Sequence, residues 1–413
     1  MIRSALDTLL SGQKYLLLQG PMGPFFRHLG DWLESKGREA RQVVFNGGDQ
    51  FYARKGKSLA YRGVPDDFGA WLGATRGDWP FDTLVCFGDC RPLHQAARRW
   101  AQAQGIRFLV FEEGYLRPCF ITLEENGVNG FSGLPREAAF YRGLPAMEPE
   151  KVKDIVPSFW LRARHACVYY LMACMTRRLF PGYLHHKIFS IRSEAYCWLK
   201  AGSRKIWYGI NESRERNEII NKLSKNFDLV ILQVFNDSQI IFHSKYNDIN
   251  EYLYEVIHSF AKHANTERHL VIKHHPMDRG HRDYTNFIQH LAEEYNLEKR
   301  IHYIHDIPLP ELIHNSHSVI TINSTVGLSA LIHRKPLKVM GNAFYDINGL
   351  TYQGSLESFW DTEYDMDHEL FENFRKYLRK ATQINAVYYC RKFSWGQMLS
   401  FIEQEHAISL KVK

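Results

Sequence analysis

Short, unbroken apolar runs recur along this chain. Each closes on Gly or a polar turn, and a helix-length stretch follows. Lys14–Gln19 (KYLLLQ), Gln42–Asn46 (QVVFN), Thr83–Gly88 (TLVCFG) and Arg107–Glu112 (RFLVFE) form one set; Asp228–Val234, His269–Lys273, Ile301–Ile304, Ser318–Ile322 and Leu337–Met340 form a second. Runs of this kind read as strands buried on both faces, and their alternation with helices specifies a parallel sheet covered on both sides. Helical patterns at Pro24–Lys36, Arg91–Gln104, Tyr246–His263, Asn286–Tyr295, Leu309–Asn315 and Thr325–His333 fill the gaps. The expected fold class is α/β, with two doubly wound halves, a cleft between them and ligands at the carboxyl ends of the strands.

A chain of 413 residues suits two domains. The expected boundaries are an N-terminal domain over 1–225, a C-terminal domain over 226–385, and a helix over 386–413 that returns to the N-terminal domain. The N-terminal domain includes an insertion at about 144–225 with no strand periodicity. Within 151–210, eleven Lys/Arg face two acids, a local net of +9 in a chain whose total is +7. Eleven aromatics share that stretch, among them Trp160, Tyr169, Trp198 and Trp207. Basic residues interleaved with aromatics suit helices lying on an anionic membrane surface. The plainer alternative is a helical insertion with a solvated basic face; the overall charge is too small and diluted to argue for nucleic acid.

The seven cysteines include no CxxC pair or Cys/His cluster, so a disulfide framework and a zinc site are not expected, and reduced thiols in a cytoplasmic protein are. The N-terminus shows no signal-peptide pattern, and the longest apolar run, Ala166 to Met175, is too short to span a bilayer. These features point to a soluble or peripheral protein.

Several strand ends carry chemistry. Ser318–His333 (SVITINSTVGLSALIH) passes from a strand through Asn323 and Ser324 directly into a helix. Ser324 can cap that helix, and free N–H groups with the hydroxyls of Ser324 and Thr325 would meet a phosphate. The same residues also suit an ordinary cap. Lys273-His274-His275-Pro276 ends another strand, as a nucleotide grip, a structural turn or half of a metal site. Glu112 and Glu113 are adjacent carboxylates at a strand end; a raised pKa on one would make a general base, with Arg117 nearby to tune it or bind an acidic sugar. A surface turn with an ion pair is the alternative. Gln233 and Asp237 follow a strand of the second half, where Asp237 is either a turn residue or a carboxylate facing Glu112 across the cleft. Gln19–Phe26 (QGPMGPFF) fails the dinucleotide spacing, and its prolines remove two donors. Gly20 and Gly23 then suit an acceptor-side wall or a tight turn, with Asp49 and Asp89 as candidate acceptor-hydroxyl contacts.

Taken together, QGPMGPFF, VVFNGGD, CFGDCRPLH, FEEGYLRP, LQVFNDSQI, KHHPMDRGH and TINSTVGLSALIHRKPLKVMGNAFYD resemble the KpsS family of capsule polysaccharide proteins, bacterial retaining β-Kdo transferases. The resemblance covers essentially the whole chain. It implies a two-domain GT-B fold, a CMP-Kdo donor, no metal, and lysophosphatidylglycerol as the acceptor of the first β-Kdo of a poly-Kdo linker. It implies a cytoplasmic protein, peripheral on the inner face of the inner membrane, among other capsule assembly proteins. It assigns Asp237 as nucleophile in a Gln-x-x-x-Asp motif with Gln233. The acidic-acidic-Gly motif falls on Glu112, Glu113 and Gly114, and more distant sialyltransferase-like enzymes favour Glu112 as base. His275-Pro276, Ser324-Thr325 and Lys273 fall to the CMP phosphate, and Arg117 to the Kdo carboxylate. A CDP-glycerol-type transferase, an inverting sialyltransferase-like enzyme and a non-catalytic assembly scaffold stand as rivals.

Overall fold

The structure is a computed structural model that describes residues 2–147, 151–183 and 191–400, with the side chains of 191–195 excepted. The parts of the expected insertion at 148–150 and 184–190, and the stretch 401–413 of the expected C-terminal helix, lie outside the described residues.

In chain order the strands are β1 (Lys14–Leu17), β2 (Glu39–Val44), β3 (Ser58–Ala60), β4 (Thr83–Phe87), β5 (Arg107–Glu113), β6 (Ile121–Glu125), β7 (Phe227–Ile231), β8 (His269–Lys273), β9 (Ile301–Ile304), β10 (Ser318–Thr321), β11 (Leu337–Val339) and β12 (Gln383–Ile384). The helices that shape the sheet ends are α1 (Phe25–Ser35), α2 (Gly47–Tyr52), α3 (Pro92–Gln104), α4 (Phe159–Met175), α5 (Ile191–Asn211), α6 (Ser238–His243), α7 (Ile249–His263) and α8 (Val326–Ile332).

The chain forms two compact units: Met1–Leu134, Ala146–Lys187 and Arg375–Lys413 make unit 1, and Pro135–Pro145 with Ile188–Phe374 make unit 2. The division therefore falls inside the basic insertion, not at residue 225. α4 is held to unit 1 because Gly47 and Gly48 let it approach: a Cβ on Gly47 would lie 2.5 Å from the Met172 carbonyl, and one on Gly48 2.6 Å from the Tyr169 ring. α5 is held to unit 2 by an Arg204–Asp283 ion pair at 2.7 Å and by Tyr208 stacked on His305 at 3.7 Å.

Unit 1 carries a seven-stranded sheet in the order β12-β6-β5-β4-β1-β2-β3. Its β1–β5 pairs are parallel, as the buried apolar runs require. The β6 edge corrects the all-parallel expectation: β6 runs antiparallel to β5, and β12 antiparallel to β6. The Gly114–Phe120 connection is shorter than the dozen or so residues of a parallel crossover, so only a reversal can pair β5 with β6. The core gathers Phe25, Phe26, Leu29, Phe111 and Leu123 with Tyr388, Trp395 and Leu399. The expected helix from 386 begins only at Trp395. Before it, Tyr388 and Tyr389 lie buried, with their hydroxyls donating to the Glu112 and Met22 carbonyls, and these contacts hold the segment in irregular bends.

Unit 2 carries an all-parallel five-stranded sheet in the order β11-β10-β7-β8-β9. α7 packs Tyr252, Leu253, Val256, Ile257 and Phe260 against it. Asp248 caps that helix by accepting from the Glu251 N–H, so the helix starts three residues later than its apolar pattern suggests. In this order β7 and β10 are neighbours from which the chain winds in opposite directions. Ligands of open α/β sheets sit outside the carboxyl ends at such a switch point.

Candidate functional site

In unit 2 the switch point between β7 and β10 brings together Gln233, Asp237, Asn323 and Ser324. Gln233 leaves the end of β7 and clamps Asn323: its Nε2 donates to Asn323 Oδ1 at 3.0 Å, and its Oε1 accepts from the Asn323 N–H at 3.2 Å. The same Nε2 lies 3.5 Å from Asp237 Oδ2. Asp237 is the N-cap of α6, with Oδ1 accepting from the Gln239 N–H at 2.9 Å. The turn role read from sequence is therefore real, and it leaves the other carboxylate oxygen turned toward Gln233.

The Ser324 helix start differs from the expectation. Ser324 Oγ accepts from the Val326 N–H at 3.2 Å and its carbonyl from the Gly327 N–H at 2.9 Å. Two donors that a phosphate would use are thus already engaged, and α8 has only seven residues. Thr325 holds the N-cap position without a side-chain cap bond. What the turn still offers an anion is chiefly the two hydroxyls. Tyr345 fixes the turn by donating to the Ser324 carbonyl, and Gly327 admits that ring, since a Cβ would stand 2.4 Å from its hydroxyl.

His275 and Lys273 part company. His275 caps the turn that starts at Pro276, with Nδ1 accepting from the Met277 N–H at 3.2 Å. In the neutral ring that bond places the proton on Nε2, where it can be donated to an anion. Lys273 is buried and corrects the expectation of a phosphate contact. Its Nζ donates to the His305 carbonyl, which follows β9, on the side of the sheet away from β10. Burial pulls its pKa down to about 8, against Glu212, which raises it. His274 is buried beside Tyr303, with Nδ1 2.6 Å from the Tyr303 hydroxyl, and burial drives its pKa down to about 3, so the ring is neutral. Glu212 and His305, paired at 2.9 Å, carried no signal in sequence because ninety-three residues separate them. They belong to the wall of a cavity of about 1060 Å³ under α5, lined also by Arg204, Trp207, Tyr208 and Tyr303. None of the residues expected to act lines it.

In unit 1 Glu112 and Glu113 are half-buried at the end of β5. Successive strand residues point to opposite faces, which separates the two carboxylates that looked crowded in sequence. Glu113 lies 3.7 Å from Arg162 of α4, while Glu112 Oε1 accepts from the Glu113 N–H at 2.9 Å. Beside them the Gly88 turn (φ +69°) is held by buried His94, whose Nδ1 lies 2.5 Å from the Gly88 carbonyl. Arg117 is exposed, with Nε donating to the Gly114 carbonyl at 3.2 Å.

Asp49 and Asp89, expected as acceptor-hydroxyl contacts, are buried and bonded within unit 1. Asp89 is 1% exposed and accepts from the Val128 N–H at 2.9 Å. Asp49 is 6% exposed and accepts from Tyr169 Oη at 2.8 Å, Gln19 Nε2 at 3.1 Å and the Phe45 N–H at 3.1 Å. Burial pushes Asp49 up to about 6, against those hydrogen bonds and the nearby Arg91. These buried carboxylates hold loops and α4 in place. Gly20 and Gly23 serve close packing: a Cβ on Gly20 would meet the Phe26 ring at 3.0 Å, and Gly23 (φ +133°) lies against His165 of α4.

α4 and α5 each leave apolar side chains exposed. On α4 these are Phe159, Trp160, Leu171 and Met175, between 54 and 72% exposed. On α5 they are Tyr196, Trp198, Leu199, Ile206, Trp207 and Ile210, between 54 and 76% exposed. Arg164 and Lys200 are interspersed with them. No helix of the described residues is long and apolar enough to cross a membrane.

The family model described as capsule polysaccharide biosynthesis protein matches residues 82–389. The chain is 56% identical over 386 residues to the Escherichia coli capsule polysaccharide export protein KpsS, covering 94% of this chain and 99% of that one. It is 38% identical over 405 residues to the Neisseria meningitidis capsule polysaccharide modification protein LipB, covering 95% and 96%. Among solved structures, Thermosulfurimonas dismutans KpsC, described as a beta Kdo 2,7 transferase, aligns over 86% of this chain and 88% of its own at 14% identity and a TM-score of 0.40.

Proposed function

The chain belongs to the capsule polysaccharide biosynthesis protein family, and on that premise we propose that it is a retaining β-Kdo transferase of GT-B type. It moves Kdo from CMP-β-Kdo to lysophosphatidylglycerol and so starts a poly-Kdo linker. The observation that carries this reading is the pairing of Gln233-x-x-x-Asp237 with Asn323-Ser324 at the switch point of unit 2. A nucleotide-sugar phosphate and a carboxylate nucleophile belong together there.

The donor phosphate rests on the Ser324 and Thr325 hydroxyls and on His275 Nε2–H, so its charge is met without a metal. Asp237 attacks C2 of Kdo as the C2–O bond to CMP breaks, and CMP leaves with the bonding electron pair. The product is a glycosyl-enzyme of inverted configuration. The lipid glycerol hydroxyl then attacks C2 and displaces the Asp237 carboxylate, while Glu112 takes the hydroxyl proton. Two inversions restore the β configuration. Arg117 is the candidate for the Kdo carboxylate. An anionic lipid acceptor places the reaction at the inner face of the inner membrane, beside other capsule assembly proteins. The apolar stripes of α4 and α5 with their basic neighbours suit that surface, at roughly 1 kcal/mol per Lys or Arg near it.

The test is incubation of the protein with CMP-β-Kdo and a fluorescent lysophosphatidylglycerol, read by product mass and anomeric configuration. A single β-linked Kdo adduct is expected. Turnover only with CDP-glycerol, an inverted product with CMP-sialic acid, or vesicle binding without turnover would each replace the reading with the corresponding rival.

A further inference from the structure

We infer that Asn323 is the positioning residue that sets the Asp237 carboxylate for attack; this rests on the reading of Asp237 as nucleophile. One side chain reaches Asp237 by two routes. Through Gln233, it joins the amide that lies against Asp237 Oδ2: Gln233 Nε2 donates to Asn323 Oδ1 at 3.0 Å and reaches Asp237 Oδ2 at 3.5 Å. The Asn323 backbone N–H returns to Gln233 Oε1 at 3.2 Å, so the amide of Gln233 cannot flip without losing both contacts. Through α6, Asn323 Nδ2 donates to the carbonyls of Gln239 at 2.8 Å and His243 at 3.2 Å. Asp237 caps the N-terminus of that helix.

α6 has six residues, too few to be stable by its own hydrogen bonds. Its direction, and with it the direction of its N-cap carboxylate, depends on anchors outside it. Asn323 supplies two of them from the end of β10, the strand next to β7. No other amino acid offers a planar group of this size with an acceptor toward Gln233 and two N–H donors toward carbonyls. Aspartate keeps the acceptor and the volume and sets an oxygen against the Gln239 and His243 carbonyls instead.

The experiment compares wild type, Asn323→Ala, Asn323→Asp and Gln233→Ala in donor kinetics, CMP affinity and the single-turnover rate of protein glycosylation. A misplaced nucleophile costs about 100-fold in kcat while the nucleotide still binds. Both Asn323 variants are expected to lose about that much in kcat and in the glycosylation step, with CMP affinity within about 3-fold of wild type. Gln233→Ala combined with Asn323→Ala is expected to be no worse than the more damaged single variant, because the two residues act as one unit. If Asn323→Ala does not fold, Asn323→Asp reads the same quantities.

The inference is overturned if kcat stays within about 3-fold of wild type. It is equally overturned if CMP affinity falls as far as kcat, which would make Asn323 part of the nucleotide site. Absence of Kdo transfer by the wild type overturns the functional reading and this inference together. Wild-type transfer with indifferent Asn323 variants removes the inference alone.

Discussion

Replacing Tyr169 by Phe removes one oxygen from a buried network and lets the consequences be worked out in advance. Tyr169 Oη donates to Asp49 Oδ1 at 2.8 Å and accepts from Asn46 Nδ2 at 2.8 Å and Gln19 Nε2 at 2.9 Å. A hydrogen bond to a charged group contributes about 1.5–3 kcal/mol, while Gln19 and Asn46 keep Tyr183 as a second partner. The loss expected for Tyr169→Phe is therefore up to about 3 kcal/mol where Asp49 is ionised. The pH sense follows from Asp49, which burial raises to about 6. The native state holds that proton more tightly than the unfolded chain. Its ionisation thus lowers stability as pH rises from about 4 through 6, by about 3 kcal/mol in all. Removing the Tyr169 donor pushes Asp49 further up and extends that decline to higher pH. The variant is therefore hurt more at pH 8 than at pH 5. Differential scanning calorimetry at both pH values checks this, and the melting of the unit-1 transition at pH 8 is expected to fall by about 6–12 °C. Hydrogen exchange over Phe159–Met175 is expected to speed up in parallel, since the same hydroxyl holds α4. An unchanged melting temperature at pH 8, or an equal loss at both pH values, would refute the assignment of Asp49 as the buried anchor of α4.

Other outcomes follow from the same geometry. Lys273→Met is expected to leave the donor KM within about 3-fold, because Nζ serves the His305 carbonyl; a tenfold rise would return Lys273 to the phosphate. His275→Ala is expected to raise the donor KM about tenfold with a smaller change in stability, the loss of one charge-assisted hydrogen bond, as measured by initial rates and a melt. Leu199→Glu with Ile206→Glu is expected to reduce co-sedimentation with anionic phosphatidylglycerol vesicles while solution turnover of a short-chain acceptor persists. Equal vesicle binding by that variant would remove α5 from the membrane surface.

The strands were legible because a buried parallel strand must be apolar on both faces, and KYLLL, TLVCF and HLVIK admit little else. β3, β6 and β12 were not: Ser58–Ala60 and Gln383–Ile384 are too short for a pattern, and Ile121–Glu125 ends in two acids. The carboxylates divide in the same way. Asp237 lies four residues from Gln233, so local spacing reveals the pair. Asp49 is decided by Tyr169, one hundred and twenty residues away, and sequence alone cannot tell a buried anchor from a ligand contact. The Asp at 89 follows a glycine turn and reads as a site residue, yet its partner is the backbone of Val128. Lys273 misleads because a long side chain at a strand end can swing to either side.

In the proposed reaction Asp237 becomes covalently glycosylated. The direct measurement is intact-protein and peptide mass spectrometry of enzyme given CMP-β-Kdo without acceptor, beside Asp237→Asn under the same conditions. One Kdo residue is expected on the peptide that carries Asp237, absent from the variant and discharged to a β-linked product when lysophosphatidylglycerol is added. Full turnover to that product by Asp237→Asn, with no adduct in either protein, would contradict it.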